Sequence, residues 1–351
     1  MRYVPSNGLD ETLTGLLEGK VAVITGSGRG IGRGYALELV RHGAKVVVNA
    51  PGRTARGEPE PEGSSSSADE VVELIKSRGG EAVANYADVG DWEQAKTLVG
   101  QAVETWGRLD IFVNNAGFHR PNPIVDMPEG DWDAVVRVHL KGTFNTTQHV
   151  GCYWRSEAET RGPGKFSLIN TTSMSGITLT RPGGSSYTSA KAAINALTVI
   201  GSLELAPYGV RVNAVSPTGY TRMAASLSGA SDHKETDEYT EFEPQDPGNN
   251  APIVAWLASD DADHVSGQVF WIGGDTIRLI HGWRSVAEIK NLAGRWEPLE
   301  IGKALNQLVF KCQAPTMDSP ASMQLGDPMF ATWPPTPPRL PTGQDVSPYQ
   351  R

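Results

Sequence analysis

Val21–Thr25 is a short, β-branched apolar run that stops at a glycine, and it predicts a buried strand. Gly30–His42 then carries apolar residues at Ile31, Tyr35, Leu39 and Val40, the spacing of a helix. The alternation continues along the chain. Further strands are predicted at Val46–Val48, Glu81–Tyr86, Asp110–Val113, Phe166–Asn170, Val210–Ala214 and Gln268–Ile272. Further helices are predicted at Ala68–Lys76, Asp91–Trp106, Gly130–Gly151, Ser186–Leu205 and Asn249–Ser259. Residues 50–67 are rich in Pro, Gly, Glu and Ser and read as a surface loop. Strands alternating with helices of this size need crossovers. They predict an α/β protein with a doubly wound parallel sheet and helices on both faces. Such sheets bind ligands beyond the carboxyl ends of their strands.

The series stops near Gly274. Three segments are expected: an N-terminal arm at 1–17, the α/β domain at 18–276, and a C-terminal extension at 277–351 that is Pro-rich from about residue 314. The Trp333–Pro338 stretch sustains neither helix nor central strand. It reads as an arm draped over the body or over a partner subunit, with free disorder as the competing reading.

Composition adds a core and removes several partners. Of 351 residues, 39% are hydrophobic and 20% charged, enough for a sizeable interior. Lys and Arg number 31 against 40 Asp and Glu, a formal net charge of -9, which argues against a nucleic-acid backbone as partner. Cys152 and Cys312 lie far apart, so neither a disulfide framework nor a metal site is expected, and the compartment should be the reducing cytoplasm. Residues 1–20 lack a basic-then-apolar leader pattern, and no apolar run is long enough to cross a bilayer, so no membrane partner is expected.

Candidate chemistry lies at three places. Gly26-Ser27-Gly28-Arg29-Gly30-Ile31-Gly32 falls between the first strand and the first helix. Glycines there permit a tight turn and let the backbone approach a pyrophosphate, which the helix N-terminus then holds. Tyr187 and Lys191 are four apart and share one helix face. A free phenol titrates near ~10, and a nearby ammonium favours the phenolate, which would bring the tyrosine towards acid–base work at neutral pH. Ser173 follows a predicted strand, and its hydroxyl can stabilise negative charge on a substrate oxygen.

The glycine turn, Asn114-Asn115-Ala116-Gly117 and Tyr187-Thr188-Ser189-Ala190-Lys191, in this order, resemble the short-chain dehydrogenase/reductase family over about residues 17–275. The resemblance implies a Rossmann-type fold and hydride transfer between a nicotinamide and a small secondary alcohol or ketone. It implies cofactor contacts from Gly26, Ser27, Arg29, Gly30, Ile31 and Gly32, from Asp88 and Val89 (Asp88 at the adenine), from Asn115, Ala116 and Gly117 on the adenine-ribose side, and from Pro217 and Thr221 beside the nicotinamide. Asp88 also reads as a helix cap. Tyr187 would pass the proton, Lys191 would tune it and hold the nicotinamide ribose, and Ser173 would hold the substrate oxygen. His139 stands where the family commonly has an asparagine. It reads equally as a water-mediated proton relay and as a buried histidine satisfying a kinked helix. Residues 224–244 read as a mobile substrate lid. The family's association through long helices implies a homodimer or homotetramer.

The second strand ends in Val48-Asn49-Ala50-Pro51, with no acid for an adenosine 2′-hydroxyl. Arg29, Arg53 and Arg56 could take a 2′-phosphate, so NADP(H) is expected, with NAD(H) as the alternative. Val46–Asn49, Ala68–Val72, Ala82–Tyr86, Arg137–Gly142 and Thr221–Met223 resemble the (3R)-hydroxyacyl-CoA dehydrogenase unit of peroxisomal multifunctional enzymes and its bacterial relatives. That likeness implies a hydroxyacyl thioester, or another bulky secondary alcohol such as a steroid. The acidic composition offers no obvious cradle for CoA phosphates. A catalytically silent nucleotide-binding regulator is the rival reading, against which the Ser173, Tyr187 and Lys191 set favours an enzyme.

Overall fold

Apolar β-branched runs build the centre of one eight-stranded sheet, ordered β3-β2-β1-β4-β5-β6-β7-β8 in the computed structural model. The structure describes residues 15–61, 64, 66–178, 182–221, 223, 242–281 and 288–305. Residues 1–14 of the expected arm, 224–241 of the lid expected at 224–244, and 306–351, with the stretch expected to be Pro-rich from about 314, lie outside these residues. The strands are β1 (Val21–Ile24), β2 (Lys45–Asn49), β3 (Ala82–Asn85), β4 (Ile111–Asn114), β5 (Phe166–Thr171), β6 (Val210–Pro217), β7 (Val269–Gly273) and β8 (Thr276–Ile280). The first seven pair in parallel, and β8 returns antiparallel to β7.

Successive strand residues face opposite sides, so each strand feeds two cores. Ala22, Ile24, Val46, Val48 and Ile111 pack on one side with Tyr35 and Leu39 of α1 (Gly30–Arg41), with Val71 and Ile75 of α2 (Ser67–Ser77) and with the helix Ala251–Ala258. Val21, Val23, Val47 and Phe112 pack on the other with Leu98 of α3 (Trp92–Trp106) and Val150 of α5 (Gly142–Arg161). This is the doubly wound α/β fold that the alternation predicts.

The single helix expected at Gly130–Gly151 is three pieces. α4 (Glu129–Val136) runs into a π-helical turn at Arg137–Lys141, and α5 follows. Such bulges recur at functional sites, and this one turns His139 inward, 1% exposed. The fully buried Trp154 anchors α5: its Nε1 donates to the Leu109 carbonyl at 2.7 Å and its ring stacks on Phe166. α6 (Ser185–Glu204) crosses to carry Tyr187 and Lys191.

β8 was not predicted. Its side chains are largely exposed, so it shows no buried apolar run. It lies past the boundary expected at 276, and the chain divides into two compact units between His281 and Gly282. In the second unit, Pro298–Ala304 forms a short helix.

Candidate active site

The site starts at the turn after β1. Gly26 has φ +63°, and a Cβ there would lie 2.7 Å from the Cα of Ala116, so glycine is required twice over. Thr25 Oγ1 accepts the N–H groups of Asn115 (2.9 Å) and Ala116 (3.0 Å). The Asn115 amide donates back to the carbonyls of Thr25 and Gly26, both at 3.0 Å. Asn49, fully buried at the end of β2, accepts the Gly26 N–H at 3.3 Å and donates to the Ala87 carbonyl (2.9 Å) and Asn85 Oδ1 (3.0 Å). It braces the turn from behind, a role its lack of charge concealed in the sequence.

The turn opens on a cleft of about 1020 Å³ that reaches Trp271 on β7. It gathers nearly all the expected residues: Gly26, Arg29, Gly30, Ile31 and Gly32, then Asp88 and Val89, then Asn115, Ala116 and Gly117, then His139, Ser173, Tyr187 and Lys191, and finally Pro217 and Thr221. Ser27 differs. It is fully buried, donating Oγ–H to the Ile24 carbonyl at 2.7 Å, so it supports the turn instead of lining the cleft. The α1 N-terminus has no side-chain cap, and the Arg29 Nε is buried without a partner. The open helix end fits a dinucleotide pyrophosphate bound at this turn, and the Arg29 Nε is left for a second anionic group.

Asp88 faces the cleft, while the cap of α3 is Asp91, which accepts the Gln94 N–H at 2.9 Å. Partial burial pushes Asp88 up. Arg137 at 2.8 Å, the Gly90 N–H and the Arg53 guanidinium nevertheless hold its carboxyl below the usual range. Among the described residues, Asp88 is the only acid in a lining that includes Arg29, Arg53, Arg120, Arg137 and Lys191. The lining is thus richer in basic than in acidic side chains, although Arg120 and Arg29 also meet Asp131 and Glu60 outside it.

Tyr187 and Lys191 adjoin, with the Lys191 Nζ 5.6 Å from the tyrosine ring centroid. Burial pushes the Tyr187 phenol up, and a hydrogen bond with Ser173 partly offsets this. Burial pulls Lys191 from the usual 10.5 down to about 7, and its Nζ donates to the Thr171 carbonyl at 2.6 Å. The acidified phenol expected from the sequence is thus not what the protein alone provides: desolvation favours the neutral form of each group.

Two imidazoles flank the phenol. His139 meets the Tyr187 ring edge-on at 5.1 Å, and His119 lies 4.8 Å from it. The His139 Nε2 lies 2.7 Å from the Phe118 carbonyl and 3.0 Å from its N–H, while Nδ1 is buried without a partner. Burial and the Lys191 charge hold His139 well below its usual range. A Cβ on Gly117 would run into its ring. His119 carried no motif and escaped the sequence reading.

The family model described as short chain dehydrogenase matches residues 20–231. The chain belongs to the short chain dehydrogenase family. This dehydrogenase is an oxidoreductase that interconverts an alcohol and a ketone with a nicotinamide cofactor. It is 35% identical to hydroxyacyl-CoA dehydrogenase ChsB1 of Mycobacterium tuberculosis over 87% of this chain and 93% of that protein. It is 34% identical to 3-oxoacyl-[acyl-carrier-protein] reductase FabG of Staphylococcus aureus, over 73% of this chain and 97% of that one. A crystal structure of a short chain dehydrogenase from Mycobacterium avium superposes with a TM-score of 0.75 at 40% identity, covering 86% of this chain and 98% of that one. A 7α-hydroxysteroid dehydrogenase complexed with NADH and 7-oxo glycochenodeoxycholic acid gives a TM-score of 0.61 at 29% identity, covering 74% and 94%. None of these relatives supports a silent regulator. Among the described residues, no helix is long and apolar enough to cross a membrane.

The Lys191 shift predicts a pH signature. Between its folded value of about 7 and its usual 10.5, the unfolded chain holds a proton that the folded chain has lost. Stability therefore rises with pH across that window, and the cost of burying the ammonium is complete below it. Lys191→Met should flatten this rise, measured as urea-unfolding free energy between about pH 7 and 10. An unchanged slope would mean that Lys191 stays charged in the folded protein.

Proposed function

We propose that this enzyme interconverts 3-hydroxyacyl and 3-oxoacyl thioesters with NADP(H), using Tyr187 as acid and base. The observation that carries the reading is the meeting of Ser173, Tyr187 and Lys191 in the cleft that begins at the glycine turn. A bound nicotinamide would supply the hydride in reduction and take it in oxidation. Tyr187 gives its proton to the ketone oxygen in one direction and takes it from the hydroxyl in the other. Ser173 donates to the same oxygen as negative charge develops. A phenolate on Tyr187 draws Lys191 back to its ammonium, because opposite charges favour each other's charged forms. Lys191 would also hold the nicotinamide ribose.

The thioester class is supported by the names of the hydroxyacyl-CoA dehydrogenase and 3-oxoacyl-carrier-protein reductase relatives, and by the basic lining, which suits a phosphate-bearing carrier. NADP(H) is supported by Ala50 at the cleft wall, by the absence of an acid beside it, and by Arg29 at the turn. His139 acts as a pin: its Nε2 is engaged by the Phe118 backbone, and its ring stays neutral. The exposed Cys152 suits a reducing cytoplasm. The enzyme assembles as a homodimer or homotetramer, supported by exposed Phe144 on α5 and by Ile200 and Leu203 on α6. Light scattering would read this mass directly, and a monomer would overturn it.

Tyr187→Phe should lower kcat on a 3-oxoacyl thioester by about 10²- to 10⁴-fold and leave cofactor binding intact. His139→Asn, in the same assay, should preserve the shape of the pH–rate profile. Undiminished turnover in Tyr187→Phe would remove the tyrosine from the mechanism, and a displaced profile in His139→Asn would restore the relay. The wild-type enzyme should bind NADPH more tightly than NADH in a fluorescence titration. Arg29→Ala should weaken NADPH by about tenfold or more, with NADH less affected. Tighter binding of NADH by the wild type would overturn the cofactor preference.

A further inference from the structure

His119 lies in the loop after β4, 8% exposed, with its ring on the cleft and 4.8 Å from that of Tyr187. Among the described residues, neither ring nitrogen has a hydrogen-bond partner. Nδ1 is buried without a hydrogen-bond partner, which leaves Nε2 as the ring nitrogen to serve the cleft that His119 lines. A neutral imidazole carries one N–H and one lone pair. Burying an unpaired N–H at Nδ1 would cost about 1–3 kcal/mol, which leaves the proton on Nε2. Burial and the nearby Arg56 charge keep the ring neutral. The result is a fixed, uncharged donor beside Tyr187. His139, the other imidazole at the phenol, is taken up by Phe118.

Ser173 and Tyr187 already serve the oxygen that reacts. A further donor beside them suits a second acceptor on the substrate, and in a 3-oxoacyl thioester the thioester carbonyl stands one methylene from the reacting carbon. We infer that His119 Nε2–H hydrogen-bonds this second carbonyl oxygen and so sets a preference for thioesters over simple ketones. The inference rests on the substrate class proposed above and adds the residue that selects it. No step in proton or hydride transfer passes through His119.

The test compares a short 3-oxoacyl thioester with its matched thioether ketone, in which a methylene replaces the thioester carbonyl. The readout is the ratio of kcat/KM for the two substrates in wild type, His119→Phe and His119→Gln. Phenylalanine keeps the ring, and because Nδ1 has no partner it removes no hydrogen bond from the folded protein, so the thermal midpoint should hold. The ratio should favour the thioester in wild type, fall about tenfold in His119→Phe, and be largely kept in His119→Gln, which retains a side-chain N–H. A ratio that survives His119→Phe, or a loss shared equally by both substrates in both variants, overturns the role of His119 alone. A wild-type enzyme that does not favour the thioester overturns the substrate class and the role together.

Discussion

The hydroxyl of Thr25 takes the backbone N–H groups of both Asn115 and Ala116, and the turn after β1 is thereby tied to the loop after β4. Leaving buried N–H groups unpaired costs about 1–3 kcal/mol each, so the tie fixes how near the two segments run. That nearness leaves no room for a side chain at position 26. It also sets the rest of the cleft. Gly117 follows directly, and a Cβ there would strike the His139 ring. His139 reaches the Phe118 backbone, and Tyr187 rests against the His139 edge. A continuous line of contact thus runs from the nucleotide turn to the phenol.

Electrostatically the cleft works by desolvation. Burial raises Tyr187, lowers Lys191 and lowers both His119 and His139, so all four lean to their neutral forms. Low dielectric strengthens any charge that does form, because its partner is not screened by water. A proton moved off the phenol is therefore felt strongly at Lys191, while the histidines, below their ordinary range, do not compete for it. Neutrality at rest and strong coupling on reaction come from the same exclusion of water.

Seven strands were legible because most are apolar runs that a parallel sheet buries on both faces, with β3 and β7 only partly buried at its flanks. The Ser173, Tyr187 and Lys191 set was legible because its spacing is local to a strand end and a helix. Other features depended on contacts distant in sequence. β8 is exposed and is held by one antiparallel neighbour, so its composition gave no signal. The π turn at Arg137–Lys141 differs from a helix by a single hydrogen-bond step, which apolar spacing cannot resolve. Asn49 drew notice only for the missing acid after it, although its amide spans the ends of β2 and β3 and the glycine turn. His119 became visible only when the loop after β4 was seen beside α6.

Net charge misled for a related reason. It sums the whole chain, whereas a ligand responds to the field inside one concave wall. Here a chain of formal charge -9 folds so that the guanidiniums of Arg29, Arg53, Arg120 and Arg137 line the cleft with Asp88 as their one acidic neighbour in the described lining. They are not equivalent. Arg137 and Arg53 converge on Asp88, and Arg120 is paired with Asp131 at 2.9 Å. The Arg29 Nε meets the Glu60 carboxylate at 3.9 Å, too far for a hydrogen bond, and is buried without a hydrogen-bond partner. A buried guanidinium nitrogen without a hydrogen bond is costly, and a bidentate phosphate contact relieves that cost where a neutral hydroxyl does so only in part. Arg29 is thus the guanidinium of this lining that the protein itself satisfies least.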